Sequence, residues 1–216
     1  MRFKSIVIIL FSVLMLGACS GESTQEKIHQ HMEESVKLED DFVAQQQPLS
    51  ELEQEEQALY QEISDLSIDE FEKINELAEK AIESIETRRD HIQTELASIE
   101  ASKEEFDQVS PLIEELEDEA LQTTALEVVE LMEERYNSFL ALHDVYDASL
   151  DLDVELYQLL MKEDLEEPEF TEQIEKVNAQ YEKIIDTNLD FNEATDAFNQ
   201  KKREFYEQSD LNVTYE

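Results

Sequence analysis

Glycine is almost missing from this chain: among 216 residues only Gly17 and Gly21 are glycine, and none follows them. Loops that cradle phosphates, bind dinucleotides or wrap calcium need glycine where the backbone turns sharply or meets its ligand, so loops of those kinds are excluded. Tryptophan, the side chain that sugar-stacking surfaces favour most, is absent. Cysteine occurs once, at Cys19, which leaves no disulfide to form. Three prolines, Pro48, Pro111 and Pro168, and few alternating β-branched stretches argue against sheet. Positive charge is scarce as well. With 56 acidic residues against 16 basic ones, net −40, the chain lacks the basic face that nucleic acid requires. The same charge opposes lying flat on an anionic membrane and favours a solvated surface that discourages self-association.

What is present begins with a processing signal. Arg2 and Lys4 precede Ile6 to Leu16, a run that is apolar except for Ser12. It is too short to span a bilayer, which takes about 20 residues. A basic start, a short apolar core and small residues at a cut site describe a secretion signal. Leu16-Gly17-Ala18-Cys19 resembles the lipobox of bacterial lipoproteins, where a diacylglyceryl group joins the cysteine sulfur and cleavage falls just before it. The expected organisation is a signal at 1–18, a lipidated cysteine and tether at 19–23, a helical domain at 24–208 and a tail at 209–216. Cleavage removes Arg2 and Lys4 and no acid, so the mature chain is more acidic still. Two acyl chains, each buried methylene contributing ~0.8 kcal/mol, hold a protein stably on a bilayer. The mature chain is tethered, not spanning.

Apolar residues then recur at helical spacing throughout. The first rod carries Phe42, Leu49 and Ile63 on one row and Leu38, Leu52, Leu59 and Leu66 on another, with Glu56 falling in the first row. Ser23 with Glu26, Ser50 with Glu53 and Ser67 with Glu70 each have capping-box spacing. The register passes Pro48 without a slip, which predicts a kink in a continuing rod. Helix two follows Ser67 and carries Phe71, Ile74, Leu77, Ile85, Ile92, Ile99 and Phe106. Ser110-Pro111 predicts the start of helix three, proline being free of cost at the first helical position. Helix three runs to about Glu163, and Pro168 opens helix four. Short connections make neighbours antiparallel, and a sustained 3-4 spacing matches shallow crossing angles. The predicted fold is all-α, an elongated up-and-down four-helix bundle with a kinked first helix, its rods roughly 60 to 80 Å long. The two chain ends then share the pole nearest the membrane. The opposite, strongly acidic tip becomes the expected contact surface.

Candidate chemistry is sparse. Glu26 and His29 have the Glu-x-x-His spacing of di-iron bundles, but no second pair accompanies them. Asp144, Asp147 and Asp151 line one side of helix three, with Asp153 close by, and form a candidate cluster for a divalent cation bound through oxygen. His143 falls on an apolar row and reads as a buried, hydrogen-bonded histidine. Lys201, Lys202 and Arg203 are the basic run of the mature chain; they suit the negative end of helix four and are a candidate contact with anionic headgroups. No Gly-x-Ser-x-Gly elbow exists. Paired carboxylates for glycoside hydrolysis stay open, since acids are everywhere: a groove holding such a pair favours a hydrolase, a smooth closed bundle a non-catalytic role. No cofactor is expected.

Three stretches, EKIHQHMEESVKLEDDF from Glu26, ISDLSIDEF from Ile63 and SPLIEELEDEA from Ser110, follow the lipobox at Leu16 to Cys19. Together they resemble the YkyA-type cell-wall-binding lipoproteins of Gram-positive bacteria. That resemblance implies a helical bundle on the outer face of the cytoplasmic membrane, with wall binding as its role. The expected partners are the bilayer, through the lipid, and peptidoglycan, another wall polymer or an envelope protein. The alternatives are a wall hydrolase or its regulator, and a weak divalent-cation binder. Oligomeric state is left open.

Overall fold

A computed structural model describes residues 22–209 and 211. The signal, Leu16, Gly17, Ala18 and the lipidation site Cys19 lie outside the described residues, as does most of the tail. Within them the chain folds as α1 (Thr24–Lys37), α2 (Asp40–Ser64), α3 (Phe71–Phe106), α4 (Glu119–Leu160) and α5 (Glu167–Gln208). Short 3-10 segments at Ile68–Glu70 and Asp107–Glu115 join them, and the described residues contain no strand. The fold is the expected all-α bundle, with α1 and α2 as one bent first rod.

Its helix starts follow local chemistry. Ser23 N–H donates to Glu26 Oε2 at 2.6 Å, and Glu26 N–H donates to Ser23 Oγ at 3.2 Å, so two free donors of α1 are satisfied reciprocally. Ser67 N–H donates to Glu70 Oε2 at 3.1 Å ahead of α3. Pro168 sits in the first turn of α5. Two expectations need correction. Helix α4 starts at Glu119 rather than at Ser110: Asp118 Oδ1 accepts from Ala120 N–H at 2.7 Å and from Leu121 N–H at 3.1 Å, a stronger cap. Pro111 lies in the preceding 3-10 segment.

The second correction concerns the bend. Helix α2 continues through Pro48, and Ser50 caps nothing; the interruption falls ten residues earlier, at Leu38 and Glu39. In a regular helix Phe42 N–H would donate to the Leu38 carbonyl. Instead the Ser98 hydroxyl of α3 stands between them, donating to Leu38 O at 2.7 Å and accepting from Phe42 N–H at 3.1 Å. An inserted side chain in the helical ladder is an established cause of a bend. Replacing Ser98 by Ala leaves that part-buried donor and acceptor to find each other or go unpaired. The expected result is a loss of ~1–2 kcal/mol in urea unfolding and faster hydrogen exchange at the Phe42 amide. An unchanged Phe42 exchange rate would show that Ser98 does not hold the bend.

The core lies in three blocks along the axis. At one pole Ile28 and Met32 of α1 meet Phe106, Val128, Phe198, Phe205 and Tyr206, which places the start of α1 beside the end of α5. At the other pole Ile63, Ile74, Leu77, Leu150 and Tyr157 close around the α2–α3 turn. Between them Phe42, Phe139 and Phe191 stack edge to face with centroids 5.6 to 6.1 Å apart. Helix α5 packs along α4, α4 against α3, and α3 against α1 and α2, but α2 and α5 do not pack closely on each other. The fourth side of the bundle is therefore a groove.

Candidate functional site

The groove between α2 and α5 is floored by α3 and α4. Helical spacing delivers its side chains: Glu53, Glu56 and Tyr60 follow each other on one face of α2, and Tyr146, Asp153 and Tyr157 on one face of α4. Arg88 enters from α3 at a core position between Ile85 and Ile92, and is only 1% exposed. Its Nη2 bonds Glu56 Oε2 closely and lies 3.4 Å from Asp153 Oδ2. Its Nη1 is 3.4 Å from the Tyr146 hydroxyl, which in turn donates to Glu53 Oε1 at 2.7 Å. From α5 the Tyr181 hydroxyl donates to Asp153 Oδ2 at 3.0 Å. All of these groups but Tyr146, which lines a second cavity, line a cavity of about 560 Å³.

Charges inside this cavity do not balance. Glu56 and Asp153 share one guanidinium, and exposed Glu53 lines the same cavity. Burial pushes the Glu56 carboxyl up to about 7 even though Arg88 and a hydrogen bond from Tyr157 pull it down. Asp153 is likewise raised by burial, against the pull of Tyr181 and Arg88. Burial disfavours the charged form of Arg88, but Glu56, Tyr146 and Tyr181 together outweigh it and hold the guanidinium protonated. Arg88 Nε is buried and has no hydrogen-bond partner.

A second cavity, about 510 Å³, continues the groove toward the pole that holds both chain ends, and Glu53 lines both. Its walls are Phe42, Leu49, Phe139 and Phe191 with Gln46, Asn188 and Thr195 among them. Glu95 is buried here with Gln46 Nε2 donating to it, and no cation beside it. Burial pushes its carboxyl up to about 7. Next along, Arg135 of α4 grips Glu39 with both terminal nitrogens at 2.7 Å and donates from Nε to Thr195 at 3.2 Å. The residue at the bend of the first rod is thus tied to α4 and, through Arg135, to α5.

The residues singled out from sequence are placed elsewhere. Asp147 and Asp151 clasp Arg89, and Asp144 points away beside His143 at 3.8 Å. The Arg89 guanidinium thus lies between two of the three carboxylates of the candidate cation cluster. Among the described residues no group of three His, Cys, Asp or Glu side chains is arranged to hold a metal. Glu26 is spent on its cap, and His29 packs its ring on Tyr206 at 4.8 Å. Half-buried His143 lies 3.3 Å from Gln93 and lines the second cavity. Lys201 pairs with Glu127 at 2.7 Å and Glu204 at 2.8 Å. Lys202 lies over the rings of Phe198 and Tyr206 and 3.5 Å from Glu33, with exposed Arg203 following it. Two of the three basic residues offered to the membrane therefore serve helix contacts within the bundle. The far tip carries exposed pairs such as Lys162 with Glu169 at 2.6 Å.

Arg88, Glu95 and Arg135 were not singled out from sequence. The available signal was charge at core positions of the repeat: Arg88 and Glu95 fall in the row of Ile85, Ile92 and Ile99, and Arg135 between Met132 and Phe139.

Known proteins are similar to this chain in sequence and in fold. The sequence model of a family described as "Putative cell-wall binding lipoprotein" matches residues 23–208. A Bacillus subtilis (strain 168) protein, the uncharacterized lipoprotein YkyA, is 32% identical over 200 residues, covering 93% of this chain and 90% of its own. A crystal structure of a conserved Staphylococcus aureus protein of unknown function superposes with a TM-score of 0.60 over 87% of this chain and 98% of that one. At 9% identity it speaks for the fold alone. Among the described residues no helix is long and apolar enough to cross a membrane.

Proposed function

The chain belongs to the YkyA family of lipoproteins, and from that premise we propose that it is a non-catalytic binding protein of the cell envelope. Lipid on Cys19 tethers it to the outer face of the cytoplasmic membrane, and the bundle stands off toward the wall. It contacts a wall polymer or an envelope protein through the side groove. The observation that carries binding is the open fourth side of the bundle, with a buried ionic centre that core packing alone does not require, and the hold of both carboxyls on Arg88 weighs against catalysis. Buried ion clusters are weak sources of stability and are retained for other reasons. The pole shared by the two chain ends lies close to Cys19 in sequence, which leaves the groove running outward along the rod.

The test is co-sedimentation of the full-length protein, extracted in detergent, with purified sacculi. Polyanionic teichoic acid repels so acidic a chain, so retention is expected to rise when teichoic acid is stripped or Mg²⁺ is added. Failure to sediment under every one of these conditions would remove wall polymer as the partner. Lipid on Cys19 is tested separately by mass spectrometry of the membrane fraction.

One observation favours a second reading, a wall hydrolase: Glu56 and Asp153 share a groove, and Glu56 is held protonated enough to act as an acid. Against it, both carboxyls hold Arg88, whose fixed positive charge opposes the cationic transition state of glycoside cleavage. Release of soluble fragments from sacculi, abolished by Glu56→Gln, would decide for the hydrolase.

A further inference from the structure

We infer that the groove over the second cavity docks a helix of another envelope protein, one with an apolar face and lysine or arginine along its flanks. The inference adds a partner to the reading above and stands apart from it, because it concerns the rims beyond the Arg88 centre. It starts from where exposed apolar side chains fall. Val43 is 64% exposed, Ile185 61% and Leu189 55%. Val43 heads the row Gln46, Ser50 and Glu53, which lines the second cavity from α2. Tyr181, Ile185 and Leu189 follow one another at helical spacing on α5, interleaved with Ile184, Asn188 and Asn192, which line the same cavity. The rings of Phe42 and Phe191 meet at 6.1 Å, so Val43 and Leu189, their near neighbours in sequence, fall at one level on opposite rims. A single exposed leucine signifies nothing, but apolar rows on both rims of an open groove with phenylalanine walls mark a contact surface.

Shape and charge choose the occupant. Tyr181, Ile185 and Leu189 make a ridge about 12 Å long, two turns of helix. A ridge beside a groove is what another helix packs against. An extended peptide would find no strand edge for its backbone among the described residues, whereas a helix satisfies its own. Glu182, Asp186 and Glu193 come next round α5 from the ridge and are exposed, so a helix lying there meets negative charge along its flank. Basic flanks match it. A second copy of this chain, at net −40, is repelled. The rims stand about 28 Å along the rod from the start of α1 and the end of α5, clear of a bilayer that holds Cys19. A polar wall polymer has nothing to cover aliphatic side chains.

The experiment is photocross-linking in cells that make the full-length chain, with p-benzoylphenylalanine in place of Val43, of Leu189 or of Leu126. Leu126 is exposed on α4 and lines neither cavity, so it serves as the control. Cross-linked peptides are sequenced by mass spectrometry. We expect Val43 and Leu189 to capture the same segment of one other protein, and Leu126 not to capture it. That segment should carry apolar residues at i, i+3 or i+4 and i+7, with lysine or arginine beside them. Ile185→Ser should lower the yield from Leu189 by about tenfold, and Glu182→Lys with Asp186→Lys should lower it several-fold. All three residues are exposed, so neither variant threatens the fold. Capture of the same segment from Leu126, an unchanged yield in Ile185→Ser, or no capture from either rim would overturn the inference. So would capture of a second copy of this chain, of its own tail, of lipid or of glycan. Glycan captured from both rims overturns the helix and leaves the groove as the wall contact. Purified sacculi bring no partner helix, so their co-sedimentation judges the wall reading alone and the cross-links judge the docked helix alone.

Discussion

Arg88→Met is expected to cost about 3–5 kcal/mol of stability at pH 8, the largest single effect in the molecule. The substitution keeps much of the side chain's volume and removes the one charge that Glu56 and Asp153 share. Those two carboxyls then stay buried together with no cation, each also denied the stabilisation of its ionised form. The sign of the pH dependence follows. Both carboxyls already have folded-state pKa values above their ordinary ones, and loss of Arg88 raises them further. A raised carboxyl binds more protons folded than unfolded, so its stabilising effect is present at low pH and is lost as pH rises through the folded value. The defect of Arg88→Met should therefore be large at pH 8 and much smaller at pH 5, measured by urea unfolding followed by circular dichroism. A pH-independent loss would point to lost packing instead. The companion variant, with Arg88→Met, Glu56→Met and Asp153→Leu together, should recover most of the stability, because an all-apolar replacement of a buried ionic cluster is close to neutral. Recovery of stability together with loss of sacculus retention is the signature of charges kept for a ligand.

The fold was readable because the apolar rows are long. The caps at Ser23 and Ser67 and the proline at the start of α5 sit where their side-chain chemistry puts them. The misplaced features have a common physical cause: each is decided by a partner distant in sequence. Pro48 is the local breaker, yet α2 runs through it, and the bend goes to Leu38 because Ser98 inserts from α3 sixty residues away in the chain. Ser110-Pro111 has good local start chemistry, yet Asp118 wins because Val109 and Ile113 are buried and hold that stretch down as a 3-10 segment. The site was hidden for the same reason. In a chain with 56 acids, acidity marks nothing, and Asp144, Asp147 and Asp151 drew notice only by lying on one exposed side of a helix. The informative residues were those that broke the apolar rows. Glu56 sat between Leu49 and Ile63, and Arg88 and Glu95 interrupted Ile85, Ile92 and Ile99. A charge at a core position must find a partner or a cavity, and here it found both.

Glu95→Gln tests the other half of the groove, and it should stabilise the protein. Glu95 is buried, accepts a hydrogen bond from Gln46 and has no cation to hold it ionised. Burial, helped by the negative charge of Glu53, raises its carboxyl from 4.5 to about 7. Between those two values the folded protein holds a proton that the unfolded chain releases, so stability falls as pH rises through that window and levels off above it. At pH 8 the native state carries a buried, uncompensated carboxylate; glutamine keeps the acceptor for Gln46 and removes the charge. The expected gain is on the order of 2 kcal/mol at pH 8, after allowing for the group's partial exposure, and close to zero at pH 5. Acid also relieves the repulsion among the many surface carboxylates, and that raises stability in the same direction. The difference between wild type and variant at each pH cancels this background, so the measurement is that difference from pH 5 to pH 8. A gain that grows between about pH 4.5 and pH 7 and levels off above assigns the titration to Glu95. No gain at pH 8 would mean that water or the groove's open side already solvates the carboxylate. A gain at pH 8 would show that the native carboxyl is kept in the groove against stability.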